Sequence, residues 1–107
     1  MSWTVAAEAS TTTDGTEQTL STQTTNGTYV FVIDTGAMVN DDVIEIRLKT
    51  KARSSSTSRI SLFARFKHIQ AQPDKFSEPL PITNELVVTL KRVGGTDRTY
   101  DWQLLRT

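Results

Sequence analysis

An aspartate closes an apolar run in the stretch VFVIDTGAM, Val30 to Met38. A carboxylate fixed by a tight turn at a strand end does acid–base chemistry when a second carboxylate shares its proton, because two like charges in contact cannot both ionise. Asp34 would then be half of a dyad completed by a second copy of the chain. His68, the only histidine, would serve as the base of a Ser-His-Asp set if a serine and an acid converged on it. Asn40, Asp41 and Asp42 offer a run of oxygen ligands of the kind calcium takes. The last feature is electrostatic: Arg47, Lys49, Lys51, Arg53, Arg59, Arg65 and Lys67 lie between Glu45 and Asp74 with no acid among them.

The elements that must position these groups are strands. Ile44, Ile46 and Leu48 alternate with Glu45, Arg47 and Lys49, and Ile60, Leu62, Ala64 and Phe66 alternate with Ser61, Arg65 and Lys67, with Phe63 interrupting the polar face. Period two marks strands with one buried face. The short polar run Ser54 to Ser58 joins them, so a hairpin is expected over 43–53 and 59–69. A second hairpin is expected over 85–93 and 98–106 through Gly94-Gly95-Thr96-Asp97. Thr28 to Asp34, apolar on both faces, reads as a central strand entered by the turn dipeptide Asn26-Gly27. Gln72 to Asn84 carries all three prolines and reads as a crossover loop. No segment has a helical period, although 37–42 could hold a single turn. About six to eight short strands in a chain of this length predict an all-β antiparallel sandwich or jelly-roll-like barrel. Ile46, Leu62, Phe66, Val88, Trp102 and Leu104 are its expected core.

The Asp-Thr-Gly motif resembles the catalytic motif of retroviral-type aspartic proteases, which are homodimers of short chains. That resemblance covers about six residues. The family covers its dyad with a glycine-rich flap hairpin, but no glycine occurs here between Gly36 and Gly94. The hairpin in the corresponding place is flanked by Lys51, Arg53 and Arg59. Arg92-Val93-Gly94-Gly95 is a poor match to the family's second motif. Without its structural context a three-residue motif is weak, so Asp34 and Thr35 are expected to cap free amides of a turn in which Gly36 takes a positive φ. His68 has no nucleophile elbow to serve and falls on the Ile60-to-Phe66 face, as a partly buried structural imidazole. Asp41 and Asp42 lack a calcium-loop signature and read as an acidic turn. The expectation is a protein that is not an enzyme and holds no cofactor or metal.

Formal net charge is zero, yet it is built from two opposed parts. Seven acids and no base precede Arg47, while twelve bases and five acids occupy the chain from Arg47 onward, so minus seven faces plus seven. Such a split suits contacts of the chain with itself or with copies of itself. The basic ribbon 47–67, with Phe63 on its face, could bind phosphates or single strands, but no nucleic-acid motif accompanies it and a complementary protein surface is the preferred partner. Four aromatics, Trp3, Tyr29, Tyr100 and Trp102, would be available for a carbohydrate platform, and three of them read as core or strand residues. There is no cysteine, which excludes disulfides and thiolate metal sites. No apolar run approaches the roughly 20 residues of a membrane span, and MSWTVAAEAS lacks the basic and apolar regions of a signal peptide.

Residues 1–28 differ from the rest. SWTVAAEA reads as an edge strand, and STTTDGTEQTLSTQTTNGT, dominated by threonine, offers only Leu20 as a large apolar anchor. The expected organisation is an N-terminal arm or edge hairpin over 1–28 and a single β-domain over 29–107. The arm would dock on a neighbouring chain through Thr11, Thr12, Thr13 and Leu20, with Arg47, Lys49, Lys51, Arg53, Arg65 and Lys67 as the other contact residues.

In character the chain resembles small virion proteins of tailed bacteriophages, particularly head-decoration (cement) proteins. The resemblance rests on a short Cys-free β-domain, a Ser/Thr-rich N-terminal stretch, and the segments ELVVTLKRVGGTDRTYDWQLL and DDVIEIRLKTKARSSSTSRISLFARF. It implies a homo-oligomer such as a trimer, made in the host cytoplasm and seated on the major capsid protein or another virion protein, with no catalysis. Small neck and tail proteins share this character.

Overall fold

A computed structural model describes residues 2–107. The described residues form nine strands and no helix: β1 (Thr4–Thr12), β2 (Gln18–Gln23), β3 (Gly27–Asp34), β4 (Val43–Thr50), β5 (Arg59–Lys67), β6 (Asp74–Phe76), β7 (Leu80–Ile82), β8 (Leu86–Gly94) and β9 (Thr99–Arg106). They make two antiparallel sheets, one ordered β1-β9-β3-β6 with β7 also on β3, the other ordered β2-β8-β4-β5. The shortest dimension of the molecule is 19 Å, which fits two layers packed about 10 Å apart plus their outer side chains. The all-β sandwich expected from the period-two pattern is what forms.

The core lies between the sheets. Tyr29, Phe31 and Ile33 from β3 and Tyr100, Trp102 and Leu104 from β9 face Ile44, Ile46 and Leu48 from β4 and Leu86, Val88 and Leu90 from β8. β3 is interior, with β9 on one side and β6 and β7 on the other. Its outer-face residues Val30 and Val32 are also buried, which is why this strand is apolar on both faces. Of the expected core, Ile46, Val88, Trp102 and Leu104 are buried, whereas Leu62 and Phe66 are only partly so. Both sit on β5, the last strand of its sheet, where nothing lies alongside to complete their burial.

The hairpin of β4 and β5 forms, with Glu45 opposite Arg65 and Arg47 opposite Phe63. Leu48 faces Leu62 but Lys49 faces Ile60, so one extra residue is inserted at Ser61. A bulge reverses the in–out alternation beyond it, and Ile60, expected on the inner face, is 54% exposed.

The second expected hairpin does not form. β8 pairs with β2 and β4 in one sheet, and β9 pairs with β1 and β3 in the other. Gly94 to Arg98 is therefore an arch that carries the chain across the core. Asp42 fixes it: its Oδ1 accepts the Thr96 N–H (3.2 Å) and its Oδ2 the Arg98 Nε–H (2.9 Å). Gly95, at φ +82°, lies so close that a Cβ would sit 2.6 Å from Asp42 Cα. The proline-bearing segment is also corrected: within it β6 and β7 are short strands paired to β3.

Residues 4–28 are part of the sandwich. β1 pairs with β9 along its length, from Thr4 opposite Arg106 to Thr12 opposite Thr99, and β2 pairs with β8. Within the chain, the segment expected as an arm or edge hairpin forms two edge strands, one in each sheet. Threonine supplies the β-propensity and the apolar contribution is small, Ala6, Ala7 and Leu20 packing against the core.

Candidate interaction surface

Each group with the chemistry of a catalyst is used to hold the fold. Asp34 Oδ1 accepts the Gly36 N–H at 2.8 Å, and Thr35, buried, donates both its N–H (2.9 Å) and its hydroxyl (2.6 Å) to the Pro73 carbonyl. This is the turn cap expected from the sequence, except that the positive-φ glycines are Gly15, Gly27 and Gly95, and Gly36 is not among them. Asp34 faces Asp101 on one side and Asp74 on the other along the exposed face of its sheet. Beyond Asp34 the chain turns at Thr35–Met38 and enters β4.

His68 is exposed, not half-buried, because the strand ends at Lys67 and His68 adopts φ 64°. Its Nδ1 accepts the Asp41 N–H at 2.9 Å, and its own N–H donates to the Asp42 carbonyl at 2.9 Å. The imidazole ties the start of β4 to the end of β5. Asp42, at 2% exposure, also accepts the Val39 N–H at 2.9 Å. Burial works against its ionisation, but the Val39 and Thr96 amides and the Arg98 guanidinium outweigh this and hold its carboxyl below the usual range. Burial, and then the same carboxylate, push the Tyr100 phenol up to about 12. The oxygens of Asp42 are all engaged by protein donors, and among the described residues no group of three or more His, Asp or Glu side chains is placed to share a metal ion.

The threonines expected to make outside contacts are also committed. Thr11 Oγ1 accepts the Trp102 indole N–H at 2.9 Å, the Thr12 and Thr99 hydroxyls meet at 2.7 Å, and buried Thr13 exchanges hydrogen bonds with Arg98. Leu20 packs against the core.

Part of the charge split is met within the chain, through Glu17, Asp42 and Glu45. Glu45, 4% exposed on the outer face of its sheet, binds Arg47 Nη2 at 2.7 Å and Arg65 Nε at 2.9 Å. The Arg65 hydrogen bonds first, and then Arg47, hold its carboxyl low against the opposing effect of burial. Glu17, just before β2, reaches Lys49 at 2.6 Å and Arg47 at 4.0 Å, and Lys49 above all lowers its pKa. Lys51 lies 3.7 Å from Glu85. The basic ribbon is therefore a mixed-charge face. Among the described residues Arg53, Arg59 and Lys67 are the bases of that block without an ion-pair partner.

Sequence reasoning did not find the cleft that opens between the sheets where β5 and β6 are the last strands. It holds about 230 Å³ and reaches the core residues Phe31, Ile33, Ile46 and Leu48. Its rim carries Phe63, 51% exposed and stacked under Arg47 at 5.1 Å, and Phe76, 68% exposed. The opposite edges of the two sheets carry the longer strands β1, of nine residues, and β2, of six, whereas here β6 and β7 have three residues each. A lone phenylalanine inside the polar, proline-rich run QPDKFSEP was the available signal.

Comparison with protein-family models, with curated proteins and with solved structures finds no match.

Proposed function

We propose that this protein is a non-enzymatic structural component of a larger assembly. A decoration (cement) protein on the head of a tailed bacteriophage is the form of that role its sequence character suggests. The observation that carries the reading is a division of labour among side chains. Groups capable of chemistry (Asp34, Asp42, His68) are bonded into turns and crossings. Among the described residues, four of the eight exposed large apolar side chains stand at one open side, Ile60, Phe63 and Ile69 on or beside β5 and Phe76 on β6; Trp3, Val5, Val39 and Val93 are exposed elsewhere. Exposed apolar side chains at the open edge of a small domain suit a protein contact. The contact would run through the β5/β6 side, since β1 and β2 are paired within the sandwich. Nucleic acid is a weaker reading, because Glu17 and Glu45 neutralise the middle of the basic ribbon.

The test is co-sedimentation of the purified protein with phage heads lacking it, together with heat resistance of the heads with and without it. Binding with raised resistance is expected. Failure to bind heads, necks or tails would end the virion reading.

A further inference from the structure

The β5/β6 side has a specific form. β5 is a nine-residue strand with no neighbour on its outer edge, so backbone N–H and C=O groups along that edge are free to pair with an added strand. Beneath the edge lies the apolar cleft. Its volume of about 230 Å³ is below the roughly 300–1,000 Å³ of small-molecule pockets, and suits side chains entering from alternate positions of a strand. Along β5 stand Arg59, Arg65 and Lys67 and no acid, and Arg59 and Lys67 have no ion-pair partner among the described residues.

We infer that β5 is a docking edge for an extended segment of a partner protein, one that alternates apolar with acidic residues and adds as a fifth strand to the β2-β8-β4-β5 sheet. The apolar residues fill the cleft over Leu62 and Phe66, and the acids meet Arg65 and Lys67 on the other face, Arg59 lying beyond the bulge at Ser61. Charge selects this occupant over a second copy of the chain. Two copies of β5 laid side by side would bring Arg59, Arg65 and Lys67 of each together with no acid on either strand, and like charges across a strand pair destabilise it. The same bases thus oppose self-association and favour an acidic guest. The inference deepens the assembly role proposed above and rests on it for its biological meaning, but the edge can be tested without any particle.

The probe is a blocked eight-residue peptide of alternating valine and glutamate, compared with one of alternating valine and lysine and with a single-stranded oligonucleotide. Binding is followed by chemical shifts and hydrogen exchange of the β5 amides. Saturable binding of the acidic peptide is expected, with slowed exchange along β5 and at least tenfold weaker affinity in the folded double variant Arg59→Glu/Lys67→Glu. Phe63→Ala should weaken binding with both charges intact. Equal affinity for the two peptides, preference for the oligonucleotide, or no perturbation of β5 overturns the inference. So does protection of β5 that rises with the protein's own concentration in the absence of peptide, since the occupant is then a second copy. Heads that bind the wild type and the double variant equally would overturn the docking edge and leave the assembly role standing. Peptide binding without head binding would do the reverse.

Discussion

The carboxylate of Asp42 and the guanidinium of Arg98, 56 residues apart, meet at 2.9 Å at the corner where the chain passes from one sheet to the other. Through the Val39 and Thr96 amides the same carboxylate also holds the turn before β4 and the arch before β9. One side chain therefore joins the turn and the arch just beyond the last β4–β8 pair, Val43 with Gly94.

Asp42→Asn keeps the shape but loses the charge, and turns the NH2 half of a buried amide toward donors from which it cannot accept. A cost of about 1–3 kcal/mol is expected in urea unfolding, the range for stranding a buried hydrogen-bonding group. Gly95→Ala should be at least as harmful, since it combines a left-handed φ with contact against the Asp42 backbone.

Acid should unfold the protein by releasing Asp42 and Glu45. Both have folded pKa values below their ordinary ones, so the unfolded chain binds protons more readily. Their stabilisation is complete above the unfolded values, near pH 4–4.5, and is lost as pH falls through the lower folded values. The urea midpoint should drop steeply below about pH 4. In Glu45→Gln that fall should be shallower, from a lower starting midpoint at pH 7.

Deleting residues 1–25 should abolish cooperative unfolding. It removes β1 and β2 together, strips the indole of Trp102 of its Thr11 acceptor, and uncovers core residues of β8 and β9. A truncated protein with native-like near-UV circular dichroism and a sharp melt would show that the two strands are dispensable.

Trp102→Ala should cost about 3–5 kcal/mol, the usual range for truncating a core aromatic, read as a shift in the urea midpoint at constant slope. The ring packs against Phe31, with centroids 6.0 Å apart.

Asp34→Asn should change stability by less than about 1 kcal/mol, because an asparagine side-chain oxygen can still accept the Gly36 N–H. Neither the wild type nor the variant should cleave peptides at acidic pH. Cleavage by the wild type that disappears in Asp34→Asn would restore the dyad reading.

Strand positions and buried faces follow from residue order alone, because period-two alternation reports which side of a strand meets water. Ile44, Ile46 and Leu48 in β4, and Tyr100, Trp102 and Leu104 in β9, all bury the faces their patterns mark. The Asp34 turn is equally local, its cap spanning two residues. Alternation does not say which strand lies alongside, since the backbone groups that pair strands are the same at every residue. Gly94-Gly95-Thr96-Asp97 has the composition of a hairpin turn and becomes an arch because Asp42, 54 residues before Thr96, holds the Thr96 amide and the Arg98 side chain. Threonine-rich strands look like a free arm until β8 and β9 offer them edges to pair with. The cleft beside β5 exists only because β6 and β7 are too short to cover it, a shortfall set by the meeting of two sheets.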